Sequence, residues 1–211
     1  MVENFTRIPP DEQQRILNVC IKEFALHGYA GASTNMIVKN ARIPKGTLFF
    51  YFGSKKDLFL YVIDQAVASY AGGFQQTAGA LPADLFERLL YLGRQRMQFA
   101  LQQPQLYRLL FGAFINLPPE LQAEMQVRFG GYAAASQQLL TRDLDLSRFR
   151  TGVAIEPVVA MISLLLEGIL SRSLAEFRRS SPEQSLTIVD QLTGEVQQYF
   201  EMIKHGVYQP E

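Results

Sequence analysis

The sequence of 211 residues contains little that would place the protein outside the cell or in a membrane. It has one cysteine, Cys20, and therefore no intramolecular disulfide framework, which fits a reducing compartment. Its longest apolar run, 158–170, is interrupted by Ser163 and Glu167, and a membrane span needs about 18 apolar residues. The first ten residues lack the central apolar stretch of a signal peptide. We therefore expect a soluble, cytoplasmic protein that does not insert into a membrane.

The sequence also lacks the motifs of common enzyme classes. It contains no G-x-S-x-G nucleophile motif, and no G-x-G-x-x-G or phosphate-loop pattern. The two histidines, His27 and His205, are too few and too far apart to suggest a metal site. Cys20 is expected to be a small core residue. These absences predict a protein that is not an enzyme and that uses no metal or cofactor.

Acidic residues are missing from one segment of the chain. Between Phe24 and Lys56 there is no acid but there are five bases: Lys39, Arg42, Lys45, Lys55 and Lys56. The formal net charge is zero, yet residues 1–60 carry eight bases and five acids, whereas residues 61–211 carry twelve bases and fifteen acids. A basic head on an acidic body indicates an anionic partner for the head.

Helical periodicity dominates the whole chain and predicts an all-α fold of about nine helices without a sheet. The first helix is expected to begin after Pro9-Pro10 and to end at Gly28, and Thr34 is expected to cap a short helix. Further helices are predicted at 35–41, 45–52, 54–71, 82–102, from 104, 118–140, 157–178 and 182–205, the last with Ser181 as its cap. The helix after Gly53 starts at a capping-box pattern, Ser54 to Asp57.

Two short helices joined by a tight turn, with a longer helix before them, predict a helix-turn-helix domain. In this motif the N-terminal residues of the second short helix enter the major groove of DNA, and here these are Lys45, Gly46 and Thr47. Gly46 lets the backbone approach the groove. Thr47 can form a hydrogen bond with a base edge or pack its methyl group on thymine.

The aromatic residues of the second short helix divide between the core and the DNA. Helical spacing directs Leu48 and Phe52 inward. Phe49 is the better candidate for the core, and Phe50 for the side that meets DNA. Lys55, in the first turn of the next helix, lies where backbone N–H groups also attract phosphate.

The segment 31–59, GASTNMIVKNARIPKGTLFFYFGSKKDLF, resembles the N-terminal domain of the tetracycline-repressor (TetR) family. The positions that match the family pattern in register are Ile37, Ala41, Lys45, Gly46, Thr47, Leu48, Phe52, Ser54, Lys55 and Leu58. The family often has Gly, Ser, Tyr, Tyr and His where this chain has Arg42, Pro44, Phe49, Phe50 and Tyr51.

The resemblance implies a helix-turn-helix DNA-binding domain over 1–54 and a helical ligand-binding and dimerisation domain over 55–211. It implies a ligand-responsive transcriptional regulator, expected to be a repressor, that binds a double-stranded DNA operator as a homodimer. The expected DNA-binding residues are Thr34, Lys45, Gly46, Thr47, Phe50, Tyr51 and Lys55.

The resemblance also implies a pocket for a small effector, and aromatic and Met side chains suit a bulky apolar one. The candidate lining residues are Tyr91, Phe99, Tyr107, Phe111, Phe114, Met125, Phe129, Tyr132 and Met161, although each could be ordinary core. The candidate dimer residues are Leu164, Gly168, Leu192, Val196, Phe200 and Ile203. Glu167 could face a cationic ligand or belong to a polar stripe. The alternative function is a helical lipophile-binding protein without specific DNA readout, which would lack salt-dependent specific DNA binding.

Overall fold

A computed structural model describes residues 2–75, 81–115, 118–177 and 182–209. These residues form ten α-helices and one short 3-10 helix at Pro119–Leu121. The α-helices are α1 (Val2–Thr6), α2 (Pro10–Gly31), α3 (Thr34–Ala41), α4 (Lys45–Phe52), α5 (Lys55–Gln75), α6 (Leu85–Gln102), α7 (Pro104–Ile115), α8 (Gln122–Thr141), α9 (Ile155–Phe177) and α10 (Pro182–Val207). The only β-type pairing within these ranges is an isolated bridge between Phe149 and Tyr208. The all-α prediction is confirmed, and the two additional elements are α1 and the 3-10 turn.

The chain forms two compact units. Unit 1 contains the described residues of 1–80 and 95–139, and unit 2 those of 81–94 and 140–211. The boundary between 94 and 95 lies inside α6. The expected functional boundary between residues 54 and 55 stays a prediction, because compactness alone does not separate a DNA-binding domain from a ligand-binding one.

Unit 1 is built around α2, which packs against α3, α5 and α7. The inward face of α2 carries Ile16, Cys20 and Phe24, all three of which are buried. Burial, together with a smaller contribution from the nearby Glu23 charge, raises the pKa of the Cys20 thiol to about 12. Cys20 is therefore a neutral core residue, as expected from the sequence.

Three helix ends differ in detail from the prediction. Gly28 does break α2, with a φ of 64°, but the helix resumes and continues to Gly31. The cap of α3 is Ser33 rather than Thr34: the Ser33 side chain accepts a hydrogen bond from the Met36 N–H at 3.3 Å, while Thr34 is already helical. α5 runs past Gly72-Gly73 to Gln75, because two glycines weaken a helix without ending one that is packed on its neighbours.

Ser54 is confirmed as the N-cap of α5, but the reciprocal bond of the predicted capping box, from the Ser54 N–H to the Asp57 side chain, is not formed. The Ser54 hydroxyl accepts the Asp57 N–H at 3.1 Å and donates to Asp57 Oδ2 at 2.6 Å. The Ser54 N–H instead donates to the Phe52 carbonyl at 2.9 Å. This contact joins the end of α4 to the start of α5. The predicted cap of α10, Ser181, lies outside the described residues.

Unit 2 contains the beginning of α6, the segment that follows α8, and the last two helices. Phe86 of α6 packs against Phe200 of α10, with 5.3 Å between ring centroids. The Arg88 guanidinium is buried and donates to the carbonyls of Pro82 at 2.7 Å and Asp143 at 3.3 Å, so it joins α6 to this segment. Burial lowers the pKa of Arg88, and the Asp143 charge opposes this shift.

None of the helices in the described ranges combines the length and the apolar character that crossing a bilayer requires.

Candidate nucleic-acid interface

The turn between α3 and α4 is closed by a residue in the left-handed conformation. Arg42 has φ 53° and ψ 45°, and its N–H donates to the Lys39 carbonyl at 3.3 Å. The Ile43 N–H donates to the Val38 carbonyl at 3.1 Å. Such a position favours glycine, because the Cβ of any other residue crowds the backbone there. The left-handed conformation of Arg42 therefore costs some conformational energy. The Arg42 side chain is exposed at the surface of the turn.

The first turn of α4 is open at its N-terminal end. Pro44 occupies the cap position and offers no side-chain hydrogen bond to the turn. Lys45 and Gly46 are exposed, and Thr47 is half-buried. The start of α4 therefore combines positive charge, accessible backbone and a hydroxyl, which is the set of groups that contacts phosphates and base edges.

The rest of α4 anchors the helix. Leu48 and Phe52 are buried, which confirms the prediction that they point inward. Phe50 is 61% exposed, whereas Phe49 and Tyr51 are half-buried. The exposed position of Phe50 agrees with its expected place on the outer face, and its contact with DNA stays a prediction.

An aromatic cluster that the sequence reasoning missed holds α4 in place. Phe5 of α1 is buried, and its ring centroid lies 4.8 Å from Phe52, 5.6 Å from Tyr51 and 5.7 Å from Tyr61. Tyr51 therefore packs its ring against α1. The five-residue helix α1 has only two apolar residues, Val2 and Phe5, which is too few to establish a periodicity, so no sequence signal pointed to Phe5.

Both ends of α3 are held by side chains of α2. Glu23 is buried, and its Oε1 accepts the Ser33 N–H at 2.9 Å, just before α3 begins. Arg15 donates to the Ala41 carbonyl in the last turn of α3. A cation at this end also complements the helix dipole. Thr34, an expected DNA-binding residue, is half-buried at the first position of α3.

The five bases of the acid-free segment differ in what they contact. Lys39, Arg42 and Lys45 are exposed. The Lys55 ammonium donates to the Ala30 carbonyl at 3.1 Å and lies 5.1 Å from the centre of the Tyr29 ring. An ammonium has three donors, so this bond leaves Lys55 able to meet phosphate. Its role at the DNA stays a prediction.

The predicted pocket residues are divided between the two units. Phe99, Tyr107, Met125 and Phe129 belong to unit 1. Phe99 packs against Tyr70 with 4.9 Å between centroids. Burial raises the pKa of Tyr107, and the Arg96 charge, with a smaller contribution from a hydrogen bond to Arg96, opposes this rise.

The remaining candidates lie elsewhere. Tyr91 and Met161 belong to unit 2, and Met161 is exposed. The side chains of Phe111, Phe114, Tyr132 and Glu167 lie outside the described part of the structure.

The predicted dimer residues lie on different faces of unit 2. Phe200 is 1% exposed within one protomer. Its ring is enclosed by the core of its own subunit, which favours a core role, and its place at a dimer seam stays a prediction. Val196 and Ile203 pack against the same core, and Leu192 is half-buried.

By contrast, Leu164 is 70% exposed, and Met161 and Gly168 are exposed on the same face of α9. Positions three and four residues apart share one face of a helix. These three residues form an exposed stripe on α9, and the role of Leu164 and Gly168 at a dimer seam stays a prediction.

Comparisons with known proteins agree with this geometry. Residues 16–62 match the family model described as "Bacterial regulatory proteins, tetR family". The chain is 25% identical over 169 residues to the HTH-type transcriptional repressor AcnR of Corynebacterium efficiens, covering 78% of this chain and 82% of AcnR.

Two solved structures share the fold. A TetR family transcriptional regulator from Chloroflexus aurantiacus has a TM-score of 0.74 at 24% identity, over 99% of this chain and 98% of that one. FadR from Bacillus subtilis, solved in complex with stearoyl-CoA, has a TM-score of 0.58 at 14% identity, over 85% of this chain and 97% of that one.

Proposed function

The chain belongs to the TetR family of transcriptional regulators, and we propose that it acts as a ligand-responsive repressor in the cytoplasm. Its DNA-binding head would place α4 of each of two subunits in a major groove of an inverted-repeat operator. The observation that carries this proposal is the start of α4, where the exposed Lys45 and Gly46 precede Thr47 on a helix anchored by Leu48 and Phe52.

In this proposal, the residues that contact DNA phosphates differ from those that contact base edges. Lys39, Arg42 and Lys45 contact phosphates, since all three are exposed and no acid interrupts the sequence around them. Thr47 and Phe50 contact base edges. Phe50 has no polar atom on its ring, so the group it can read in the major groove is the methyl of thymine. Tyr51 supports the helix from the side of α1.

The test of DNA recognition is selection from a pool of random duplexes, followed by binding measurements on the enriched sequence. We expect an inverted repeat whose half-site centres are about 34–36 Å apart or a multiple of this distance. Binding should weaken steeply with salt. A pool that shows no enrichment after several rounds would contradict the proposal and favour the alternative, a helical lipophile-binding protein.

A charge-matched pair of variants identifies the phosphate contacts. Lys45→Ala should flatten the slope of log affinity against log salt by about 0.9, the value for one lost contact. Arg142→Ala is the control, because Arg142 is an exposed base paired with Asp143 in unit 2. Equal slopes for Lys45→Ala and the wild type would remove Lys45 from the interface.

We propose that the effector has a large apolar part and binds among the aromatic and Met residues of unit 1. Phe99, Met125 and Phe129 supply apolar surface, and Tyr107 adds a hydroxyl. A ligand shifts the equilibrium between DNA-competent and DNA-released states only through its different affinity for the two. The FadR neighbour, solved with stearoyl-CoA, motivates acyl thioesters as the first compounds to test.

The effector test measures release of the protein from the selected duplex by stearoyl-CoA, with coenzyme A and stearate as separate controls. We expect release by a compound that carries the long acyl chain and none by coenzyme A alone. Release by coenzyme A alone, or an unchanged complex with all three compounds, would contradict an acyl effector. A reporter gene behind the selected site then distinguishes repression from activation.

A further inference from the structure

Two ion pairs join α5 to α8 within unit 1. Lys56 of α5 pairs with Glu124 of α8, and Asp64 of α5 pairs with Arg128 of α8, with 2.7 Å between Asp64 Oδ1 and Arg128 Nε. The α5 residues are eight positions apart and the α8 residues four. At about 3.6 residues per turn, each set lies on one face of its helix. All four side chains remain partly exposed.

The two pairs have opposite polarity. In the Asp64–Arg128 pair α5 supplies the carboxylate, whereas in the Lys56–Glu124 pair it supplies the cation. Lys56 is the last base of the acid-free segment. Lys56 is the second residue of α5 and follows α4 by four positions. Of the bases in that segment, it is the one described in an ion pair with a carboxylate. Lys56 therefore lies close to the end of α4 in the sequence, but its ammonium is paired with a carboxylate of α8.

The Lys56–Glu124 contact shifts the pKa of each partner toward its charged form. The hydrogen bond to Glu124 raises the pKa of Lys56, and the same bond from Lys56 lowers the pKa of Glu124. Arg128 lowers the pKa of Glu124 further, as a smaller contribution. Both groups are thus charged at neutral pH, and a phosphate that approaches Lys56 has to displace a carboxylate.

We propose that Glu124 competes with DNA phosphate for Lys56, so that α8 limits DNA affinity by holding one phosphate-binding lysine away from the backbone. This inference rests on the proposed DNA-binding function. Coupling between two sites is reciprocal. DNA therefore favours states in which the Lys56–Glu124 pair is open, and any ligand that fixes α8 in the paired position opposes DNA binding.

The experiment compares Glu124→Gln with Asp64→Asn. Each variant removes one negative charge and breaks one α5–α8 pair, but only Glu124→Gln releases a lysine of the head. DNA affinity is measured between 50 and 200 mM salt on the selected duplex and on a random duplex. Releasing one lysine should steepen the salt slope by about 0.9, so that the affinity ratio of Glu124→Gln to wild type is about 3.5-fold larger at 50 mM than at 200 mM.

The change in DNA affinity and salt slope caused by Glu124→Gln must disappear when Lys56 is also replaced. In a Lys56→Gln background, adding Glu124→Gln should change neither the affinity nor the slope, and Asp64→Asn should keep the wild-type slope. Circular dichroism confirms that each variant is folded. If Asp64→Asn gained as much DNA affinity as Glu124→Gln, or if the gain persisted in the Lys56→Gln background, the effect would be general repulsion between protein carboxylates and DNA. Either result would overturn the proposal.

The wild type serves as the reference for both proposals. If it binds DNA with a steep salt slope and Glu124→Gln has the same slope, the competition is refuted while the DNA-binding function stands. If the wild type shows no salt-dependent binding, both proposals fail.

Discussion

Lys55 shows that the role of a residue depends on atoms distant in the sequence. Its position after a capping serine predicts a phosphate contact, yet its ammonium also donates to the carbonyl of Ala30. Local features were predictable, because Ser54 and Asp57 contact each other across a single turn. The pairing of Lys56 with Glu124 was not, because it depends on how α8 packs against α5.

Thr47 is the residue whose chemistry bears most directly on base readout. Thr47→Ala removes both the hydroxyl and the methyl, and should cost about 1–3 kcal/mol at one base position per half-site. Thr47→Ser keeps the hydroxyl and separates the two contributions. Repeating the selection with each variant checks the prediction. The same enriched sequence for all three proteins would remove Thr47 from the reading set.

Arg42 combines a strained backbone with a charge at the interface. Arg42→Gly should relieve the left-handed conformation, whereas Arg42→Ala keeps it and removes only the side chain. We expect the glycine variant to be more stable than the alanine variant by on the order of 1 kcal/mol. Urea unfolding measures this difference. An alanine variant as stable as the glycine variant would show that the turn carries no strain.

At the scale of elements, strong local signals gave α3, α4 and the start of α5, whereas α1 had none. A helix of five residues is unstable on its own, so α1 exists because Phe5 packs into unit 1. Tertiary packing also explains why α5 passes through Gly72-Gly73. Sequence patterns predict elements that are stable locally, and they miss those that depend on a distant contact.

Phe5 and Phe50 form a matched pair for separating stability from DNA binding. Phe5→Ala removes a buried ring beneath α4 and should lower the free energy of unfolding by about 3–5 kcal/mol. Phe50→Ala removes an exposed ring and should change it by less than about 0.5 kcal/mol, while weakening DNA binding. Thermal unfolding and DNA titration of both variants check this. If Phe50→Ala were destabilised, or if it bound DNA as the wild type does, Phe50 would not be an exposed residue that contacts DNA.

At the scale of the whole molecule, the sequence does not specify how two subunits meet. The apolar residues of α10, among them Leu192, Val196, Phe200 and Ile203, recur at three- and four-residue steps. This pattern fits either a dimer seam or a core, and Phe200 is buried in the core of its own subunit. The exposed stripe of Met161, Leu164 and Gly168 on α9 remains as the candidate seam. A homodimer is typical of the family, and two heads are needed to read an inverted repeat.

Leu164→Asp should dissociate the dimer, because it places a charge in the middle of the exposed stripe. Leu146→Asp is the control, since Leu146 is 51% exposed in unit 2 but lies outside the helices. Sedimentation should show helical monomers for Leu164→Asp, with lost binding to the inverted repeat, and dimers for Leu146→Asp. A Leu164→Asp dimer with normal DNA binding would place the seam on another surface.

Methylation interference on the selected duplex tests whether α4 reads the major groove in two symmetric half-sites, because guanine N7 lies in the major groove and adenine N3 in the minor groove. We expect methylation of guanine N7 to block binding in both half-sites, at positions about one helical turn of DNA apart or a multiple of it. Interference confined to adenine N3, or to one half-site, would contradict this expectation.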